Sequence, residues 1–305
     1  MSQQRLELYA DMEAVYRPQR VWAEGRGILL VAAHFLSGVG AGAWLVGLVL
    51  HYPLASLMGL FAVVLGGMVH LGFLGHPERA WKMILRPRSS WISRGLWAMI
   101  VFVPTGALYI APVYLHGAPW STSSAFGVIM LVFSLIGMAG VFLYKGFVYA
   151  VAKAVALWHS PILPVEYIAI GIRGGAALAL VGLAFTSKDF GHQVQGWWLA
   201  ATVATIFLFL MEVATSRSNE TVARSLTVFL RGRDALIFWV GAVAVGVVVP
   251  AILVIVSYPV SVGGAGLLVA GVLSMLGDLT YKYCMNNAGT YVPFVAPAPP
   301  KPARP

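Results

Sequence analysis

Eight stretches of this chain are apolar for about twenty residues each, the length an α-helix needs to cross the hydrocarbon core of a bilayer. They fall at residues 27–50, 53–75, 95–115, 125–147, 163–185, 197–215, 235–257 and 262–284. A backbone in lipid has no water to bond, so only helices and closed barrels satisfy it internally. The runs lack the roughly ten-residue alternation of barrel strands. The predicted class is therefore all-α, integral to the membrane, with eight transmembrane helices. Composition agrees, since 59% of the 305 residues are hydrophobic and only 10% are charged, unlike a soluble domain. Pro53 suits the first turn of the second span, whereas Pro104, Pro112 and Pro250 lie inside spans, where a missing N–H predicts kinks.

An even number of spans puts both termini on one side, together with the loops after spans two, four and six. Of the 20 Lys and Arg, 18 map to that side, counting Lys145, Lys153 and Lys282; Lys188 stands alone opposite and Arg173 falls within a span. The positive-inside rule then makes the termini cytoplasmic, in a bacterial or archaeal inner membrane. The net charge of +9 is mainly this topology signal. Its expected partners are anionic membrane lipids and not nucleic acid. The first 25 residues are polar and carry no apolar core before a small-residue cleavage site, so no cleavable signal is expected there.

The segment from His76 to Trp97 is the most distinctive of these loops. It holds Arg79, Lys82, Arg86, Arg88 and Arg94 against Glu78 as its only acid, so it must lie at a membrane surface, with Trp81 and Trp91 at headgroup level. Elsewhere LSGVGAGAWLVGLVL in the first span resembles AIGIRGGAALALVGLAF in the fifth, pairing Gly38 with Gly171, Gly42 with Gly175 and His34 with Tyr167. A four-helix shift preserves direction, which predicts two parallel-repeat four-helix bundles, residues 27–150 and 151–284, between a segment 1–26 and a Pro-rich tail 285–305. The small residues let helix backbones approach closely.

Ionisable groups inside a membrane are costly, so each is a candidate site. His34 lies about 10 Å in from the basic side at the helical rise, with His70 at similar depth. Tyr144, Glu166, Arg173, Glu212 and Asp278 belong to the same half. Glu166 and Arg173 are two turns apart on one face, and Glu166, Asp278 or Glu212 could pair the permanently charged Arg173, as a structural ion pair or as a ligand contact. His34 precedes Gly38 and Gly42 on one face; it can donate to a quinone carbonyl and pass on its proton, or simply hydrogen-bond within the packing. Tyr144 is a second donor or an interfacial anchor. Two readings compete with this. His34 and His70 could ligate a b-type haem, or the chain could be a stand-alone proton or solute transporter, although its far half holds almost nothing ionisable. Cys284 is the sole cysteine, so no cysteine-ligated cluster or redox disulfide belongs to this chain and no metal site is expected in it.

HPERAWKMILRPRSSWISRG, HFLSGVGAGAWL and WHSPILPVEYIAIGIRGGAAL, with YKYCMNNAG near the end, resemble the NrfD/PsrC (polysulfide reductase membrane subunit) family, and less closely the dimethyl sulfoxide reductase anchor subunits. The resemblance implies an eight-helix, haem-free membrane anchor that exchanges electrons and protons with quinone (menaquinone or ubiquinone). It also implies a four-cluster ferredoxin-like iron–sulfur subunit and a molybdopterin catalytic subunit as partners. His34 matches the family's quinone-contacting histidine and Tyr144 its quinone tyrosine; Gly38 and His70 join them as cofactor-binding candidates, and Glu166, Glu212 and Asp278 as proton conduits. Arg173 stands where a small or hydroxyl residue is expected. Many relatives place the iron–sulfur partner outside the cytoplasm, whereas this charge pattern puts the His34 end inside. With protons and electrons both drawn from that side, turnover is not expected to charge the membrane.

Overall fold

A computed structural model describes residues 16–186, 190–215, 219–257 and 264–292. The expectations attached to Arg5, Lys188, Arg217, Lys301, Arg304 and the Pro-rich tail from residue 293 lie outside the described residues.

Eight helices are long and apolar enough to cross a membrane, so the chain is a multi-pass integral membrane protein. In chain order the first four are α1 (Gly27–Val49), α2 (Pro53–Phe73), α3 (Trp91–Tyr114) and α4 (Ala125–Ala150). The next two are α5 (Ile162–Gly182) and α6 (Gly191–Thr215). A short α7 (Glu220–Leu230) precedes α8 (Ile237–Ser257) and α9 (Gly264–Asn287). The missing N–H of Pro53 falls in the first turn of α2, where no helical bond is lost. Ser90 caps α3 by accepting from Ser93 N at 3.3 Å, and Ser124 caps α4 by accepting from Gly127 N at 3.2 Å.

The helices outrun the apolar windows: α3 starts at Trp91, α6 at Gly191, and α9 continues to Asn287. Hydrophobicity marks where lipid is, but backbone bonding continues through polar residues that find buried partners. Two cations within the apolar windows are buried as well. Lys145 and Lys282, counted with the loops at the basic end, sit inside α4 and α9 at 1% and 4% exposure. The loop after the sixth span also contains more order than a loop. Its α7 is capped by Asn219, which accepts from Thr221 N at 3.0 Å, and buries Val222, Leu226 and Phe229.

Helices α1 and α5 form the enclosed centre. Val203, Phe207 and Ile136 on the outer helices present large apolar side chains outward, as lipid requires. A Cβ on Gly42 would strike the Gly171 carbonyl, and one on Gly175 would strike the Gly42 backbone. The glycines that align the first and fifth spans therefore also seat them against each other. Gly42→Val is expected to cost about 3 kcal/mol, the upper end for overpacking, and to lower the unfolding temperature in detergent; an unchanged temperature would show that the helices can separate freely here.

The described ends meet. Arg17–Pro18 (β1) pairs antiparallel with Thr290–Tyr291 (β2), so both lie at one end of the bundle. At that end the α2–α3 connection forms a tight 3₁₀ segment, Pro77–Leu85, pinned by Trp97 Nε1 donating to Ile84 O at 3.1 Å. Arg94 donates to Pro87 O and Arg88 O, both at 2.8 Å, and stacks on Trp91. Trp91 in turn stacks on Phe147, with 4.4 Å between ring centres. Trp81 is 59% exposed, as a headgroup-level residue would be. The expected kinks at Pro104 and Pro112 fall within one continuous helix, α3. Pro250 follows a stretch of wide π turns from Ile237 to Val248.

Candidate functional site

The site is built along α9. Ser274, Asp278, Lys282 and Asn286 recur every four residues, so they stack on one helix face, and all four are buried. Each meets a polar or aromatic partner from another helix.

At the β1–β2 end, Asn286 Nδ2 donates to Tyr149 Oη at 2.9 Å, and that hydroxyl lies 3.1 Å from His34 Nδ1. His34 is 3% exposed. Its ring centre is 5.7 Å from that of His70 and 5.8 Å from that of Tyr144, which meets it edge-on. A pocket of about 60 Å³ between α2, α3 and α4 is lined by His70 and Tyr144 and otherwise by apolar or small residues, among them Met83, Ile92 and Leu96. Gly95 belongs to this wall because a Cβ there would collide with the Tyr144 ring. His34 stands behind the pocket, in contact range of both of its polar side chains. Gly38 does not line it. A Cβ on Gly38 would come within 2.9 Å of Lys145 Nζ, so its missing side chain makes room for that ammonium, which has no hydrogen-bond partner among the described residues.

One turn further in, Lys282 Nζ lies 3.7 Å from the centre of the Tyr167 ring. Tyr281 donates to Glu166 Oε1, while Glu166 Oε2 is buried without a hydrogen-bond partner among the described residues. Glu212 accepts from Ser160 Oγ at 2.6 Å. Midway along α5 Arg173 donates to Asp278, to the Gly246 carbonyl, and through Nε to Thr202 Oγ1 at 3.1 Å. Pro250 lacks the N–H that an α-helix would offer to the carbonyl four residues back, which is that of Gly246, and Arg173 supplies the donor instead.

The structure thus gathers His34, His70 and Tyr144 into one cluster. Of the three carboxylates that could pair Arg173, it selects Asp278 and leaves Glu166 and Glu212 in a separate group. Tyr149, Asn286, Lys145, Lys282, Tyr281 and Tyr167 are further members that sequence reasoning did not single out. The four-residue period of Asp278, Lys282 and Asn286 was the available signal; it was masked because the eighth apolar window closes at residue 284. Among the described residues no three His, Cys, Asp or Glu side chains group as a metal site.

An eight-span helical membrane protein with a polar seam enclosed by its central helices is the class this geometry defines. The chain belongs to the polysulphide reductase, NrfD family, whose model matches residues 17–293. It is 25% identical to protein NrfD of Escherichia coli over 258 residues, covering 72% of this chain and 80% of that protein. It is 26% identical to a sulfite dehydrogenase subunit of Allochromatium vinosum over 187 residues, 58% of this chain and 55% of that one. A polysulfide reductase chain of Wolinella succinogenes is 21% identical over 255 residues, 72% of this chain and 79% of that one. The family therefore includes membrane subunits of oxidoreductase complexes.

Proposed function

We propose that this chain is the quinone-reactive membrane subunit of a multisubunit oxidoreductase. It exchanges electrons with a four-cluster ferredoxin-like iron–sulfur subunit, itself joined to a molybdopterin catalytic subunit, and passes electrons and protons to or from quinone. The observation that carries this reading is the pocket that presents His70 and Tyr144 between apolar walls, with His34 immediately behind. Two relatives named as components of sulfur-compound oxidoreductases support a role in such a complex.

The residues fit a quinone head. Leu96, Met99 and Leu71 offer an apolar slot, and a Cβ on Gly67 would meet nothing within 4 Å, so the wall is open in front of it. The pocket's volume accommodates the edge of a ring, with the remainder of the molecule in the opening toward lipid. Quinone supplies two-electron, two-proton chemistry; this chain supplies the protons. Asn286 can only donate through Nδ2, so Tyr149 accepts from it and directs its own proton to His34 Nδ1. That order leaves the imidazole proton on Nε2, available for donation. Tyr144 is the second donor. Glu166, Glu212 and Asp278, with Lys145 and Lys282 between them and His34, form the route by which His34 regains a proton.

The basic face around Pro77–Leu85 and α7 is the docking platform for the iron–sulfur partner and faces the cytoplasm of a bacterial or archaeal cell. Purification from native membranes in mild detergent tests the assignment. Iron together with molybdenum or tungsten, a ferredoxin-like subunit and quinone turnover without a haem α-band are expected, and turnover in liposomes should generate no membrane potential. A lone, metal-free chain would favour a transporter, and an α-band lost in His70→Ala a haem anchor.

A further inference from the structure

A second pocket, of about 260 Å³, opens between α6, α8 and α9, away from the His70–Tyr144 slot. Its outer wall is apolar, with Leu210 and Trp239 more than half exposed. Its inner end is Arg173 and Asp278. The π turns of α8 create it. With hydrogen bonds reaching five residues back, Phe238, Ala242 and Val243, and Val247 fall on one face of that helix, and all four line the pocket.

The inner end is chemically unfinished. Asp278 Oδ2 has no hydrogen-bond partner among the described residues but is turned toward Gly174 and Val39, so the free donors here are those of Arg173. Arg173 uses three of its N–H groups on Thr202, Asp278 and Gly246, leaving two of a guanidinium's five. A ligand that brings an oxygen acceptor to those remaining Arg173 N–H groups gains a charge-assisted hydrogen bond there. Arg173 is the twelfth residue of α5, about 16 Å from its start and so near the midplane of a ~30 Å core. Lipid phosphates do not reach that depth, and the paired Arg173 and Asp278 charges favour a neutral head.

We propose that this pocket is a second ligand site, for a neutral, lipid-soluble hydroxylated ring compound of the quinol class. The volume lies just below the roughly 300 Å³ at which small-molecule pockets begin, so it admits one ring, and an isoprenoid tail would lie along the exposed flank of α6 and α8. Naming a quinol rests on the proposed quinone chemistry; the pocket, the remaining Arg173 donors and its depth do not.

The test is photolabelling of the intact complex in nanodiscs with a short-chain quinol carrying a diazirine, read by peptide mass spectrometry. Two sets of labelled peptides are expected, one around His70 and Tyr144 and one around Phe209 and Phe238–Val247. Ala242→Trp, or the milder Val247→Phe should the first fail to fold, is expected to reduce the second set at least tenfold while the first set and quinone turnover persist. Labelling of the first set alone would overturn this inference and leave the proposed function standing. No labelling of either set would overturn both. A second set that neither variant reduces, or that a diazirine alkane reproduces equally, would mark ordinary lipid contact and overturn the site.

Discussion

His34→Ala is expected to lower quinone turnover by about 10²- to 10⁴-fold, the loss that follows removal of a positioned proton donor, in a complex that still assembles. The imidazole is buried, meets Tyr144 and His70, and is held by Tyr149, which Asn286 holds in turn. Tyr149→Phe is expected to act in the same direction but less strongly, because the ring stays in place while the hydrogen bond that fixes its tautomer is lost. The measurement is quinol-dependent reduction, with iron content and co-purified subunits as the control for assembly. Turnover within twofold of the parent in a fully assembled His34→Ala complex would remove His34 from the chemistry.

The second large effect is on stability. Asp278→Ala would leave the Arg173 guanidinium buried with only Thr202 and a backbone carbonyl, and breaking a buried ion pair on one side costs about 3–5 kcal/mol. Against a total stability of about 5–15 kcal/mol, that should cut the folded chain recovered from membranes and lower its unfolding temperature in detergent. Arg173→Met with Asp278→Leu, which removes both charges together, should recover much of the loss. If Asp278→Ala alone proves as stable as the parent, Thr202 and Gly246 suffice to hold the guanidinium and the pair is not a stability element.

The two effects separate what a sequence can and cannot disclose about such a chain. The spans were legible because hydrocarbon thickness imposes one length on every crossing helix, and the family was legible in the segments around His34, His76 and Glu166. His34 and Tyr144 stood out as costly polar residues within apolar runs. Tyr149 did not, because it lies two residues beyond the apolar window that closes at residue 147. Lys145 and Lys282 were read only as topology signals for a related reason: a cation at the edge of an apolar window reads that way until the helix is seen to bury it.

By itself, then, the sequence determined that the chain carries eight helices long and apolar enough to cross a membrane, and it singled out the costly ionisable residues within them. Each of these follows from the length and solvation of single segments. Only the tertiary structure decided that Arg173 pairs with Asp278 and not with Glu166, that Tyr149 and Asn286 orient His34, and that π turns in α8 open a second pocket beside Arg173. Those outcomes depend on which faces of helices distant in the sequence meet, and backbone contact at Gly42, Gly171 and Gly175 fixes how α1 and α5 seat against each other.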